Sequence, residues 1–368
     1  MIYLNNAATT KPQVRRQVDE LLINHWFNPS SIEGKCEKEM IEEARETIKQ
    51  ILNADEVIFT SGATESNNIV TDYLYNEHQG FVLCSPFEHP SIADWISDGT
   101  IDCNKFGLRH DISVEWNEDR EGAPVVICMG VNNETGYMSD IKRIGERCEE
   151  KGYIYFCDAT QMVGHHEIDM EEMRINILTG SAHKFGGLKG VGFIAYNNFD
   201  PIKANFGGGQ EKGYRSGTEN LAGIVTMAEQ LKFMNSNIEE NRHKVNTFNR
   251  YMTEQIINRV DDVYFPMFDL NCSPYILNFC VKGINGEALV HILSLKDVIV
   301  SSGSACHTGS IEASKTLKAF QVPDEYIHGA IRVSFSPENT MAEIEDATEI
   351  IIQCIEILRN INGGLNNV

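Results

Sequence analysis

Positive charge and long apolar runs are the two things this sequence has least of. Its 31 Lys and Arg face 53 Asp and Glu, a formal net charge of −22 at pH 7, and no basic run is visible. A nucleic-acid binder matches the phosphates with a basic face, so no direct nucleic-acid partner is expected. The longest apolar stretches are strand-sized, such as Val125 to Met129. That is far below the ~20 residues that span a bilayer, and no membrane association is expected. Met1-Ile2-Tyr3-Leu4-Asn5-Asn6 has no positive region followed by an apolar core, so export is not signalled. The ten cysteines lack CxxC or paired spacing. Over a chain this long they do not make a disulfide framework, and no metal site is expected. A reducing cytoplasm fits best, with most cysteines acting as small buried hydrophobes.

Internal repeats and low-complexity segments are also absent, while 42% apolar content over 368 residues fills ordinary cores in about two domains. Short β-branched or aromatic runs occur at Val57–Thr60, Phe81–Cys84, Val125–Met129, Tyr153–Cys157, Ile175–Thr179 and Val191–Tyr196. Several are separated by helix-length polar segments, Glu37–Leu52, Ser66–Asn76 and Asp140–Lys151. This alternation predicts an α/β fold with a mainly parallel sheet covered on both faces, with ligands beyond the C-terminal ends of the strands. A polar helical region from about Leu221 to Val260 follows. Ile276–Val281, Glu287–Leu295 and Ile331–Phe335 then predict a smaller α/β domain. The expected division is 15–255 for the large domain and 1–14 with 256–368 for the small one, and Asn362–Val368 is expected to fray.

Phe59-Thr60-Ser61-Gly62-Ala63-Thr64-Glu65-Ser66-Asn67 runs from a strand through a small-residue turn into a helix. Such a turn is either a phosphate site, built from converging N–H groups and the Thr64 hydroxyl, or simply a capped strand-to-helix turn. A second strand ends in Asp158, and Lys184 lies just past a third, twenty-six residues on. That is roughly one strand–helix–strand unit, so both residues can project from one rim. A Lys, an Asp and a phosphate loop on one rim suggest pyridoxal 5'-phosphate, with Lys184 as the Schiff-base amine and Asp158 on the pyridine nitrogen. His89 follows another strand, where its ring can stack on a pyridine or serve as a structural hydrogen-bonder.

These residues sit in a longer set. It comprises Asn5-Asn6-Ala7-Ala8-Thr9-Thr10, Thr60 to Asn67, Glu88-His89, Val131-Asn132-Asn133-Glu134-Thr135-Gly136, Asp158-Ala159-Thr160-Gln161 and Ser181-Ala182-His183-Lys184. Gly207-Gly208-Gly209-Gln210-Glu211, Arg215-Ser216-Gly217-Thr218 and Ser301-Ser302-Gly303-Ser304-Ala305-Cys306 complete it. In this order, the set resembles the cysteine desulfurase family, in the class-V aminotransferase group of pyridoxal-phosphate enzymes. The match runs from residue 5 to Arg332. The resemblance implies the type I fold of such transferases: a large domain with a mainly parallel mixed sheet covered by helices, plus a smaller α/β domain.

It also implies roles. Lys184 matches the cofactor-bearing lysine, Asp158 the pyridinium partner, and His89 the stacking ring that moves protons. Gln161 and Asn133 match residues bonded to the ring oxygen and nearby groups. Ala63, Thr64, Ser181 and His183 match the phosphate cradle. Thr218 matches a phosphate contact given to the neighbouring subunit, implying a homodimer with shared active sites. Arg332 matches the arginine that forks onto the substrate carboxylate. Cys306, in a small, polar, loop-like segment, matches the thiol that takes sulfur from L-cysteine as a persulfide, leaving L-alanine. Its Ser-Ser-Gly-Ser-Ala-Cys segment is similar to the desulfurases serving iron–sulfur assembly, so the expected acceptor is an iron–sulfur scaffold or a tRNA-thiolation protein.

Two positions depart from the family pattern. Glu33 stands where a His is usual after Asn28-Pro29-Ser30-Ser31, and His307 replaces a small hydroxyl residue after Cys306. A protonated His307 would favour the Cys306 thiolate. The competing readings are a selenocysteine lyase or related C–S lyase of the same fold, and a catalytically idle assembly partner. The joint presence of Lys184, Asp158, His89, Cys306 and Arg332 argues against an idle protein.

Overall fold

The computed structural model describes residues 1–77, 82–97, 125–204, 207–267, 270–302 and 314–365. Its strands are β1 (Ile2–Tyr3), β2 (Glu56–Thr60), β3 (Val82–Cys84), β4 (Val125–Ile127), β5 (Ile154–Asp158), β6 (Ile177–Ser181), β7 (Gly192–Tyr196), β8 (Val263–Tyr264), β9 (Ile276–Val281), β10 (Val298–Ile299), β11 (Ser301–Ser302) and β12 (Ala330–Ser334). The helices are α1 (Arg15–Asn24), α2 (Lys35–Leu52), α3 (Ala63–Glu77), α4 (Pro90–Ser97), α5 (Ile141–Lys151), α6 (Leu221–Ser236), α7 (Ile238–Arg259), α8 (Gly286–Leu295), α9 (Lys315–Ala319), α10 (Asp324–Ile327) and α11 (Met341–Leu365).

Two compact units emerge, a larger one of Thr10–Gly130 and Ser139–Ile238, and a smaller one of Met1–Thr9, Val131–Met138 and Glu239–Val368. The divisions thus fall at Thr9/Thr10 and Ile238/Glu239, with one excursion at Val131–Met138. Helix α7 goes with the smaller unit because its side chains bond there. Asn249 Nδ2 donates to Pro274 O at 3.0 Å, and Arg259 pairs with Glu349 at 2.7 Å. The expected 221–260 helical region is two helices, separated at Asn237, whose amide N–H bonds Met234 O and whose side chain bonds Phe233 O.

In the larger unit a six-stranded sheet has the order β2-β7-β6-β5-β4-β3. Strands β3 to β6 pair in parallel, and β7 runs antiparallel between β6 and β2. Val125, Ile127, Phe156, Ile177 and Ile194 are fully or almost fully buried, as strands covered on both faces require. The flanking helices carry their own start and stop signals. Asp140 caps α5 by accepting from Arg143 N, and Gly152, at φ 70°, ends it. The C-terminal rim of this sheet delivers Ser61, Asp158 and Ala182 into the turns that follow β2, β5 and β6.

The smaller unit holds a four-stranded antiparallel sheet of order β11-β12-β9-β8, and β1 pairs in parallel with β10. Arg332 lies opposite Asn278 on one side and Ser301 on the other. Helix α11 runs to Leu365 and buries an apolar stripe of Ile344, Ile351, Ile355 and Leu358; residues 362–365, expected to fray, are helical, and 366–368 lie outside the described residues.

Candidate active site

The centre of the larger unit is a hydrogen-bonded chain around Asp158. This carboxylate ends β5 and is 2% exposed. Its Oδ1 accepts from Thr160 N at 2.9 Å and its Oδ2 from Asn67 Nδ2 at 2.8 Å. Asn67, on α3, also donates to Ser91 Oγ at 2.9 Å, while its Oδ1 accepts from Thr179 Oγ1 at 2.7 Å. Ser91 continues the chain to His89, whose Nδ1 lies 2.8 Å from Ser91 Oγ and accepts the Ser91 N–H at 3.1 Å. A ring nitrogen that accepts from an N–H carries no proton, so neutral His89 holds its proton on Nε2. Burial lowers the His89 pKa; Asp158 and Asp94 oppose this and Lys184 adds to it, and the net shift is downward.

Lys184 closes a short 3₁₀ turn, Ala182–Lys184, after β6. That turn is clamped from the N-terminal segment. Thr10 N donates to His183 O at 2.8 Å, and Thr10 Oγ1 donates to Lys184 O at 2.7 Å. Burial, together with the charges of Lys184 and Lys189, pushes His183 down to about 4, so it is neutral at pH 7. Gln161 is buried in the turn after β5.

The Ser61–Ala63 turn is shaped by close backbone approach. A Cβ on Gly192 would sit 2.6 Å from both Gly62 Cα and Gly180 O, so only glycine lets β7 pass beneath the turn. Gly62 itself, at φ 152°, faces Ser181 Oγ. The first N–H bonded within α3 is that of Ser66, to Gly62 O at 3.1 Å, so the N–H groups of Ala63, Thr64 and Glu65 point out of the helix end. Thr64 is exposed there.

This turn is braced from the segment around Glu211. Strand β2 is an edge strand, and side chains stand in for its missing neighbour. Arg45 Nη1 donates to Val57 O at 2.5 Å, and Phe59 N donates to Glu211 Oε2 at 2.8 Å. The two side chains pair with each other at 2.7 and 3.1 Å, both fully buried. Four residues on, Arg215 bonds Glu65 at 3.0 and 3.3 Å. Burial raises the Glu65 pKa, but Arg215 and the Ser61 donors outweigh it and hold the carboxylate below its ordinary value. Thr218, just beyond, is exposed.

In the smaller unit Arg332 Nη1 donates to Asn133 O at 2.8 Å and Nη2 to Asn5 Oδ1 at 3.1 Å. Cys306 and His307 lie outside the described residues. Burial pushes the Cys148, Cys272 and Cys280 thiols up to about 12, which keeps them protonated and unreactive. Among the described residues no cluster of three or more His, Cys, Asp or Glu is arranged to hold a metal ion. Asn67, Thr179, Thr10 and Asn5 join the picture only through these contacts, although Asn67, Thr10 and Asn5 lie inside recognisable motifs.

The family model described as aminotransferase class-V matches residues 2–346. A cysteine desulfurase IscS from Clostridium botulinum is 32% identical, covering 98% of this chain and 96% of its own. Another, from Proteus mirabilis, is 34% identical over 98% and 94%. The chain belongs to the cysteine desulfurases of the class-V aminotransferase family. A NifS-like protein from Rickettsia africae superimposes with a TM-score of 0.87 at 26% identity, covering 97% of this chain and 99% of that one. Enzymes of this family depend on pyridoxal 5'-phosphate, so the Asp158 chain, the Lys184 turn and the Gly62 turn lie in a member of a cofactor-dependent family.

Proposed function

We infer that this chain is a cysteine desulfurase, releasing L-alanine from L-cysteine and carrying the sulfur as a persulfide on Cys306. The observation that carries the reading is Asp158, a buried carboxylate with both oxygens held, on the same rim as Lys184 and the Ser61–Ala63 turn.

The residues present fit pyridoxal 5'-phosphate. Asp158 suits a protonated pyridine nitrogen, and the outward N–H groups of Ala63 and Thr64 with Ser181 Oγ and neutral His183 suit a phosphate. His89, fixed through Nδ1, would offer a ring face to the pyridine, and Gln161 a side-chain amide to its hydroxyl oxygen. Asn133 is assigned to the same oxygen and to substrate. When bound, the cofactor supplies an electron sink for bond breaking at the substrate α-carbon.

The protein's own groups do the rest. Lys184, its backbone pinned by Thr10, would take and hold the substrate α-proton on Nζ. His89 moves protons through Nε2. Arg332, oriented by Asn133 and Asn5, receives the substrate carboxylate in bidentate geometry. The Cys306 thiolate attacks the substrate sulfur. The new S–S bond forms on Cys306 as the substrate C–S bond breaks, and the electron pair stays with the carbon skeleton, which gains a proton and leaves as alanine.

The exposed Thr218, on a segment braced by Glu211 and Arg215, is assigned to the phosphate of a second copy, giving a homodimer with shared active sites. The persulfide then passes to an acceptor protein, an iron–sulfur scaffold or a tRNA-thiolation protein. With a net charge of −22, the chain favours an acceptor with a basic docking face. We assign the enzyme to the cytoplasm; no helix among the described residues is long and apolar enough to cross a membrane.

The test is incubation of cofactor-loaded protein with L-cysteine and a reductant, measuring alanine and sulfide, beside Cys306→Ala and Lys184→Ala. Alanine from the wild type, lost in both variants, is expected. No alanine from fully loaded wild type refutes the assignment, and turnover confined to L-selenocysteine makes the chain a selenocysteine lyase.

A further inference from the structure

We propose that Glu134 is a positioning residue for sulfur transfer, anchoring the C-terminal stem of the segment that carries Cys306. The inference rests on the reading of Cys306 as the sulfur carrier. Residues 303–313 lie, in sequence, between two described anchors. On the N-terminal side Ser301 and Ser302 form β11, paired antiparallel with Arg332 and Ile331 of β12. On the C-terminal side Ser314 caps α9 by accepting from Leu317 N. The Ser314 hydroxyl donates to Glu134 Oε2 at 2.6 Å, and Thr316 Oγ1 donates to Glu134 Oε1 at 2.9 Å. One carboxylate therefore holds two hydroxyls of the same helix start.

Glu134 is itself rigidly mounted. Its N–H donates to Asn132 Oδ1 at 3.0 Å, and its carbonyl accepts from Asn278 Nδ2 at 3.1 Å. The preceding residue, Asn133, presents the carbonyl that orients Arg332. A single turn, Asn132 to Thr135, thus fixes both the arginine assigned to the substrate carboxylate and the stem of the cysteine segment. Arg332 is at once the neighbour of the other stem through β11. This arrangement sets where the thiol is delivered relative to the substrate carboxylate, and the carboxylate side chain of Glu134 is the part of it that bonds the stem.

The test uses the full-length, cofactor-loaded protein as wild type, Glu134→Ala and the double variant Ser314→Ala/Thr316→Val. Alkylation of Cys306 by N-ethylmaleimide is followed by peptide mass spectrometry, with exposed Cys36 as internal reference, beside kcat and KM for alanine formation. In both variants the Cys306 rate relative to Cys36 is expected to rise about tenfold and kcat to fall by about the same factor, the shift that one charge-assisted hydrogen bond carries. KM should stay within about twofold, because the Asn133–Arg332 contact is untouched. Wild-type alkylation and kcat in a folded variant, even with a lowered Tm, overturn the proposal. Should Glu134→Ala not fold, the hydroxyl variant, which keeps the carboxylate, decides alone. A Cys306→Ala variant as active as wild type refutes instead the reading of Cys306, and is scored without reference to Glu134.

Discussion

Breaking the buried Arg45–Glu211 pair should strongly destabilise the larger unit. Both side chains are almost solvent-free, at 2% and 3% exposure. Arg45→Met strands the Glu211 carboxylate and takes the Val57 carbonyl's partner away. Removing one member of a buried pair costs about 3–5 kcal/mol. Glu211→Leu should cost a similar amount, because Arg45 keeps only the half-exposed Glu42 as a charge partner and Phe59 N–H loses its acceptor. The double variant Arg45→Met/Glu211→Leu leaves no stranded charge. Its cost is two unmet backbone groups on an edge strand, about 1–3 kcal/mol each at most, offset by apolar packing against Phe59. The middle of these ranges gives the double-mutant cycle a coupling of about 4 kcal/mol, against the few tenths seen for independent sites. Urea midpoints of the four proteins at equal m-value measure it. Strictly additive single effects, or singles below about 1 kcal/mol, would refute the account. Because β2 leads directly into the Ser61–Ala63 turn, the single variants should also bind pyridoxal 5'-phosphate more weakly in an absorbance titration.

Other outcomes follow from the same contacts. Asn67→Ala removes partners from Asp158, Thr179 and Ser91 together and should weaken cofactor binding about tenfold or more, read by equilibrium dialysis. A mere loss of thermal stability at wild-type affinity would contradict it. Glu88 is pushed up to about 8, chiefly by burial and also by Asp158, while Ser85 and Met129 N–H pull the other way. Its folded pKa exceeds the unfolded value of 4.5, so its stabilisation is complete below pH 4.5 and lost as pH rises to 8, about 1.4 kcal/mol per pH unit at most. His165 and His183, pushed down to about 4, act oppositely below pH 6.5. The apoprotein's Tm should therefore fall between pH 6.5 and 8, and Glu88→Gln should flatten that slope. His307→Ala should raise the Cys306 thiol pKa, followed by pH-dependent alkylation, and an unchanged value would exclude a role for His307 in thiolate formation.

Much of this protein was legible before any coordinates. Alternating short apolar runs and polar helix-length segments prescribe a covered, mainly parallel sheet, because such strands bury both faces and need crossover helices. The spacing of Asp158 and Lys184 put both on one rim, and the order of motifs carried the family. Less was legible in boundaries. The 221–260 region hides a break because Asn237 caps a helix in a window whose composition stays helical. The end of α11 is not legible in Asn362-Gly363-Gly364, whose low intrinsic helix propensity predicts an earlier stop.

What only the tertiary structure decided is which distant residues meet. Asn67 reaches Asp158 across 91 residues and Thr179 across 112, Arg45 reaches Glu211 across 166, and Glu134 reaches Ser314 across 180. Periodicity and local propensity reach only a few residues along the chain, so they name the elements and the chemistry each one ends in. A side-chain hydrogen bond depends on position within about 3 Å, and that is set by how strands stack in register and helices settle onto them. The sequence by itself therefore determined the α/β fold and the membership of the chain in the cysteine desulfurases of the class-V aminotransferase family. The folded chain determined how Asp158, Lys184 and Arg332 are held in place.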